Sequence, residues 1–196
     1  MVTSVRFLQK FCCFEPGDTF EFRPGVNLLV GDQGCGKSSL MNAIRLSDRK
    51  NPVVEVVLGQ RGAKVFAFDF ERDNPRMRSM SSEGDLSYQM KAAWGSHGES
   101  VKSILSGLLP AVQGQLRKHP DLTPLVLLDE PDIGLSIRSC YRVIGVLLKL
   151  EALGAQILCA VHNPTVIEAF PQVLSLEDRE WLASEVFVER QRRHEL

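Results

Sequence analysis

Several features that are common in other protein classes are missing from this chain, and each absence narrows what the chain can be. The five cysteines form no C-x-x-C pair, which argues against a zinc site and against a disulfide framework. No stretch approaches the roughly 18 apolar residues that predict a membrane-spanning helix. Arg6 and Lys10 interrupt the apolar start, so no secretory signal is predicted. The formal net charge is −1, so no overall positive field attracts nucleic acid or an anionic membrane. We therefore expect a cytoplasmic protein with reduced thiols and no membrane insertion.

Internal repeats and low-complexity segments are also absent, and the composition suits an ordinary globular domain. Hydrophobic residues make up 44% and charged residues 24% of the chain, which predicts one domain over residues 1–196. Strand-like and helical segments alternate. This alternation predicts an α/β fold with a largely parallel central sheet flanked by helices, beside an antiparallel lobe formed by the opening strands. Residues 71–98 are predicted to form a polar insertion loop, and residues 177–196 a C-terminal extension. Pro110 predicts a bend or break in the helical segment 99–118.

A glycine-rich stretch, GDQGCGKS at residues 31–38, matches the pattern G-x-x-x-x-G-K-[ST] in full. It follows an apolar strand and precedes a helical pattern, which is the context that confirms a phosphate-binding loop. Glycines let the backbone wrap closely around phosphate oxygens, and the N–H groups of the helix N-terminus face the anion. Lys37 is expected to reach the β- and γ-phosphates, and the Ser38 hydroxyl to bind Mg²⁺. The predicted nucleotide-binding residues here are Gly31, Asp32, Gln33, Gly34, Cys35, Gly36, Lys37, Ser38 and Ser39.

Two adjacent acids, Asp129 and Glu130, follow the buried strand LVLL. The carboxyl ends of the strands in an α/β sheet form the edge where ligands bind, and the phosphate-binding loop lies at the same edge. Asp129 is therefore expected to hold Mg²⁺ together with Ser38. Glu130 is expected to orient and deprotonate an attacking water, which favours hydrolysis over transfer to a hydroxyl group. The alternative is that these acids simply end a strand, as acids often do.

His162 ends the next apolar strand, AQILCAV, and is predicted to lie at the same sheet edge. There its imidazole would contact the γ-phosphate and hold Glu130 or the water in line. A polar residue that only caps the strand is the alternative interpretation. The predicted catalytic residues are Glu130, His162 and Lys37.

The stretch GSHGES, residues 95–100, precedes an apolar helical run. Ser96 and Glu99 fit an S-x-x-E capping box, so the plain interpretation is a helix start. A hydrolase nucleophile is disfavoured because the G-x-S-x-G elbow is missing.

Three of these motifs together resemble those of ABC-type ATPases. GDQGCGKS resembles Walker A, LVLLDEPDIGLS resembles Walker B with the D-loop, and CAVH resembles the H-loop. The likeness is to the stand-alone ATPase heads of the SMC and RecF group rather than to transporter subunits. It covers about residues 3 to 176. The resemblance implies that the nucleotide is ATP, that Mg²⁺ accompanies it, and that the products are ADP and phosphate.

In ABC-type ATPases a signature motif begins a helix upstream of Walker B and is donated to the nucleotide of the other subunit. GSHGES occupies that position. The resemblance therefore implies that Ser96, Gly98 and Glu99 face the other subunit's nucleotide in an ATP-dependent head-to-tail homodimer. It also implies that Asp132 lies at the dimer seam. The Q-loop residue stays open among three candidates, Gln60, Asp69 and Gln89.

Three hypotheses describe what such an ATPase is for. The first is a hydrolase whose dimerisation switches a partner protein or a DNA contact, as in repair, phage or defence systems. Its support is the non-transporter signature and the arginines of the 71–98 insertion, although those arginines also suit a solvated loop. The second is the nucleotide-binding subunit of an ABC transporter, for which a standard signature would be expected. The third is an ATP-dependent binding module with little turnover.

Overall fold

The computed structural model describes residues 1–47, 52–59, 63–69 and 97–194. The strands in these ranges are β1 (Val2–Phe7), β2 (Thr19–Glu21), β3 (Val26–Val30), β4 (Val54–Leu58), β5 (Ala63–Asp69), β6 (Thr123–Asp129), β7 (Gln156–Ala160), β8 (Gln172–Ser175) and β9 (Glu180–Ala183). The helices are α1 (Lys37–Arg45), α2 (His97–Lys118), α3 (Ile137–Ala152), α4 (Pro164–Ile167) and α5 (Ser184–His194). In the part of the chain that the structure describes, none of the helices is long and apolar enough to cross a bilayer.

Six strands form the central sheet in the order β5-β6-β7-β3-β8-β9. The first five run parallel and β9 runs antiparallel to β8. Side chains of β6 alternate between the two faces of the sheet. Val126 and Leu128 belong to the core on the side of α2 and α3, whereas Leu125 and Leu127 belong to the core on the side of α1. Because both faces are buried, the central strands read as continuous apolar runs. The predicted fold class is confirmed.

The antiparallel lobe is a second sheet with the order β2-β1-β4. One of the opening strands is not part of it. β3 lies in the central sheet between β7 and β8, so the phosphate-binding loop leaves the sheet at its carboxyl edge. Within the predicted C-terminal extension, β9 pairs with β8 and leads directly into α5.

Helix α2 runs from His97 to Lys118 with Pro110 inside it, so the predicted alternative of a break there is wrong, whereas the bend stays a prediction. Proline removes one hydrogen-bond donor and crowds the preceding turn of a helix. Leu108 and Val112, one on each side of Pro110, are both fully buried in the core. Packing of these side chains stabilises the helix across the missing donor, since most helical stability in proteins comes from such a buried face.

A buried glutamine joins the antiparallel lobe to the central sheet. Gln156, at the start of β7, is 1% exposed. Its Nε2 donates to the carbonyl oxygens of Val2 (2.7 Å) and Arg23 (3.0 Å), and its Oε1 accepts from the Val2 N–H (2.8 Å). The amide therefore satisfies both backbone groups of Val2, which would otherwise be buried without a partner.

We expect Gln156→Leu to lower the free energy of unfolding by about 1–3 kcal/mol, because it leaves the Val2 N–H and C=O without partners. The measurement is urea denaturation followed by circular dichroism. Gln113→Leu, on the exposed side of α2, is the matched control and should change stability by less than about 0.5 kcal/mol. Equal losses of unfolding free energy in both variants would contradict the stabilising role of the Gln156 hydrogen bonds.

Candidate functional site

The phosphate-binding loop turns between β3 and α1 by way of glycines in the left-handed region. Gly31, Gly34 and Gly36 have φ of 139°, 88° and 103°. Gly36 immediately precedes α1, and a Cβ there would lie 2.4 Å from Cys13 Sγ and 2.6 Å from Phe14 Cζ. Only glycine fits this position, both for its dihedral angle and for its space. The lobe segment that carries Cys13 and Phe14 thus packs directly against the loop.

Lys37 places a positive charge inside the loop. The residue is 4% exposed, and its Nζ donates to the carbonyl oxygens of Gly31 (2.8 Å) and Asp32 (3.0 Å). Burial raises the pKa of the nearby Cys35 thiol, so that thiol stays protonated near neutral pH and adds no negative charge. The loop therefore combines an ammonium group with the N–H groups of the first turn of α1, a combination suited to an anion.

Ser38 and Asp129 meet across the site. The Ser38 Oγ donates to Asp129 Oδ1 at 3.0 Å, which joins the first turn of α1 to the end of β6. A hydroxyl and a carboxylate are hard oxygen ligands of the kind that Mg²⁺ takes, usually with waters and substrate phosphates completing its shell. The chemistry of this pair therefore fits the magnesium site predicted for it.

Glu130 and His162 also meet, at the ends of the neighbouring strands β6 and β7. The distance from His162 Nε2 to Glu130 Oε1 is 3.0 Å, and the two side chains are 35% and 23% exposed. Glu130 has φ of 54°, a left-handed conformation that is uncommon for a residue other than glycine. Its N–H donates to the Ala160 carbonyl oxygen at 3.1 Å, which holds the turn against β7. Strained backbone of this kind clusters at functional sites.

Two cavities open on either side of the loop. One, of about 230 Å³, is lined by Ser38, Ser39 and Asp129 among others. The other, of about 320 Å³, is lined by residues 31–33, His162 and Arg192. The predicted magnesium ligands thus line one cavity, and His162 lines the other.

The predicted signature segment is only partly described. Ser96 lies outside the described residues, and Gly98 and Glu99 lie in the first turn of α2, which begins at His97. Two of the Q-loop candidates, Gln60 and Gln89, also lie outside the described residues. The third, Asp69, ends β5 directly opposite Asp129 in the strand register.

Asp132 is the residue that the resemblance places at the dimer seam. The residue is 1% exposed, and its Oδ2 accepts from the backbone N–H groups of His162 (2.8 Å) and Asn163 (2.6 Å). Its carboxylate therefore points into its own chain, and its place at a dimer seam stays a prediction. Residues 131–134 form the turn after Glu130, in which the Ile133 N–H donates to the Glu130 carbonyl oxygen at 3.4 Å.

Glu177 is a site residue that the sequence analysis missed. It follows β8, which lies beside β3, and its Oε1 accepts from the Asp32 N–H at 3.1 Å. The signal that could have found it is its position, because polar residues after parallel strands gather at one edge of the sheet.

Comparison with known proteins first concerns sequence. A family of AAA domains matches residues 7–47, which hold the loop and α1. Protein SNQ2 of Saccharomyces cerevisiae is 42% identical over 64 residues, and these are 32% of this chain and 4% of that protein. The ABC multidrug transporter atrF of Aspergillus flavus is 38% identical over 193 residues, covering 79% of this chain and 12% of that protein. The chain thus spans a small fraction of the curated relatives it matches.

Solved structures extend the likeness to nearly the whole chain. The SMC head domain from Thermotoga maritima superposes with a TM-score of 0.56 at 17% identity, covering 89% of this chain and 94% of that one. The dimeric ATP-binding cassette MJ0796 bound to ADP and Pi superposes with a TM-score of 0.52 at 14% identity, covering 94% and 99%. The central sheet, the loop and the flanking helices are thus arranged as in these proteins.

We expect Glu177→Gln to tighten ATP binding by about 2- to 3-fold, because it removes a negative charge beside the phosphate-binding loop. The glutamine keeps an acceptor for the Asp32 N–H. The effect should shrink at high salt, since Glu177 is exposed. Isothermal titration calorimetry at two salt concentrations measures it. Glu180→Gln, an exposed carboxylate on β9, is the control and should leave the affinity unchanged. Weaker binding in Glu177→Gln alone would contradict the electrostatic argument.

Proposed function

We propose that this chain, which has the fold of ABC-type ATPase heads, binds ATP with Mg²⁺ and hydrolyses it to ADP and phosphate. The observation that carries the proposal is the meeting of two groups at one sheet edge. The phosphate-binding loop with the Lys37 ammonium group, called the Lys37 cradle, suits a triphosphate. The Glu130–His162 pair suits an attacking water. A protein that only binds anions would need the Lys37 ammonium group but would have no use for the Glu130–His162 pair.

Each residue has a distinct part in this reaction. Lys37 and the N–H groups of α1 hold the β- and γ-phosphates and neutralise their charge. Glu130 accepts a proton from water while the new bond to the γ-phosphorus forms and the bond to the β–γ bridging oxygen breaks. His162 holds Glu130 in place through the contact at 3.0 Å and faces the γ-phosphate. The proton then leaves with the phosphate product.

Mg²⁺ fits the oxygen pair of Ser38 and Asp129 described above. When bound, the ion supplies charge stabilisation to the phosphate oxygens in the transition state.

The same mechanism calls for a second copy of the chain. We infer that Gly98 and Glu99, in the first turn of α2, and Ser96, which precedes that helix in the sequence, complete the site of the other subunit in an ATP-dependent homodimer. The start of a helix attracts anions, which supports this role. The dimeric state of MJ0796, similar in fold, also supports it.

Two roles for the ATPase are compatible with this chemistry. One is a switch for a partner protein or for DNA, supported by the likeness in fold to an SMC head domain. The other is the nucleotide-binding part of an ABC transporter, supported by the likeness in sequence to the multidrug transporter atrF of Aspergillus flavus. Steady-state ATP hydrolysis with and without DNA separates them. Stimulation by DNA that weakens with salt supports the switch on DNA, whereas turnover indifferent to DNA at every salt concentration removes it.

We expect Glu130→Gln to lower turnover by about 100-fold or more, because it removes the general base, while ATP affinity is retained. ATP that is bound but not hydrolysed should hold the dimer together. Phosphate release measures the first effect, and light scattering with saturating Mg-ATP measures the second. Glu180→Gln serves again as the control.

The outcomes separate the parts of the proposal. Unchanged turnover in Glu130→Gln would exclude Glu130 as the base and would favour a binding module. Loss of turnover in a protein that stays monomeric with saturating Mg-ATP would exclude the shared site.

A further inference from the structure

Asp132 is almost fully buried. Among the described residues, its side chain makes no hydrogen bond to the phosphate-binding loop. Its bonds go to two consecutive backbone N–H groups, those of His162 and Asn163, at 2.8 and 2.6 Å. Both bonds end on one oxygen, Oδ2. The other oxygen, Oδ1, is buried without a hydrogen-bond partner among the described residues. A buried acceptor without a partner is unfavourable. The two bonds to Oδ2 act against this cost, which raises the question of what they position.

The two N–H groups belong to the segment that leaves β7 and carries the His162 side chain. Asn163 in turn caps α4, because its Oδ1 accepts from the Thr165 N–H at 2.9 Å. On the other side, the Glu130 N–H is bonded to the Ala160 carbonyl oxygen. The ends of β6 and β7 are therefore joined at two points, and the Glu130–His162 contact lies between them.

We propose that Asp132 is the positioning residue that sets His162 against Glu130. This inference rests on the proposed ATP hydrolysis and goes beyond it, because Asp132 acts through the backbone of His162 and touches neither the nucleotide nor the water. Without the carboxylate, the two N–H groups lose their acceptor and the segment 162–163 moves. The imidazole then leaves Glu130, while the Lys37 cradle keeps its own bonds.

The test compares Asp132→Ala with Asp132→Asn, which keeps one acceptor oxygen in a side chain of the same shape. We expect Asp132→Ala to lower kcat by roughly 10- to 100-fold, the cost of a displaced catalytic group, with the Kd for ATP unchanged within about 2-fold. Asp132→Asn should keep most of the activity. Gln156→Leu, which destabilises the chain far from this segment, is the control for stability alone and should leave kcat unchanged.

A double-mutant cycle with His162→Ala shows whether Asp132 acts through His162. If it does, adding Asp132→Ala to His162→Ala should lower kcat by less than about 2-fold, because the two residues act as a unit. Multiplicative losses would overturn the proposal, and so would a fall in ATP affinity that parallels the fall in kcat. Should Asp132→Ala not fold, Asp132→Leu, which fills a similar volume and also lacks an acceptor, takes its place in the cycle.

A second measurement does not depend on turnover and so separates failure of this inference from failure of the proposed ATPase. Amide hydrogen exchange at His162 and Asn163 should be slow in the unaltered chain and in Asp132→Asn, and at least about 10-fold faster in Asp132→Ala. Equal exchange in all three would overturn the positioning role even if the chain hydrolyses ATP. No turnover in the unaltered chain would instead refute the ATPase.

Discussion

The bonds from the Lys37 ammonium group to the carbonyl oxygens of Gly31 and Asp32 are the interaction on which the site depends. A buried ammonium is costly unless it is hydrogen-bonded, and here the loop itself provides the acceptors. Gly31, which provides one of these acceptors, has φ of 139°, a conformation that glycine adopts without strain. The charge and the shape of the loop thus stabilise each other before any ligand arrives.

The parallel sheet explains why the other site residues lie near this charge. β3, β6, β7 and β8 all end at the same edge, and each is followed by a polar residue of the site. Neighbouring strands are about 4.8 Å apart, so side chains from adjacent ends meet within hydrogen-bond distance. Glu130 reaches His162 in this way, because β6 and β7 are neighbours, whereas Ser38 reaches Asp129 from the first turn of α1. Backbone topology, rather than proximity in sequence, assembles the site.

Much of this arrangement could be predicted from the sequence, for identifiable reasons. The loop carries a local pattern, and Asp129, Glu130 and His162 follow apolar strands whose ends share an edge. The inward direction of Asp132 could not be predicted, because it depends on the left-handed turn at Glu130. Glu177 follows β8, which ends at the same edge, so the rule that finds Asp129 and His162 could have found it as well. The unbroken α2 could not be predicted either, since the packing of Leu108 and Val112 overrides the effect of Pro110.

The left-handed backbone at Glu130 limits which residues can serve there. Glycine adopts such a φ without strain, and asparagine and aspartate adopt it more readily than glutamate does. Glycine has no acid group, however, and aspartate is one methylene shorter than the side chain that contacts His162. Backbone strain at this position is therefore opposed to the side-chain length that the contact with His162 requires. Glutamate has the required length and acid group at the cost of a strained φ.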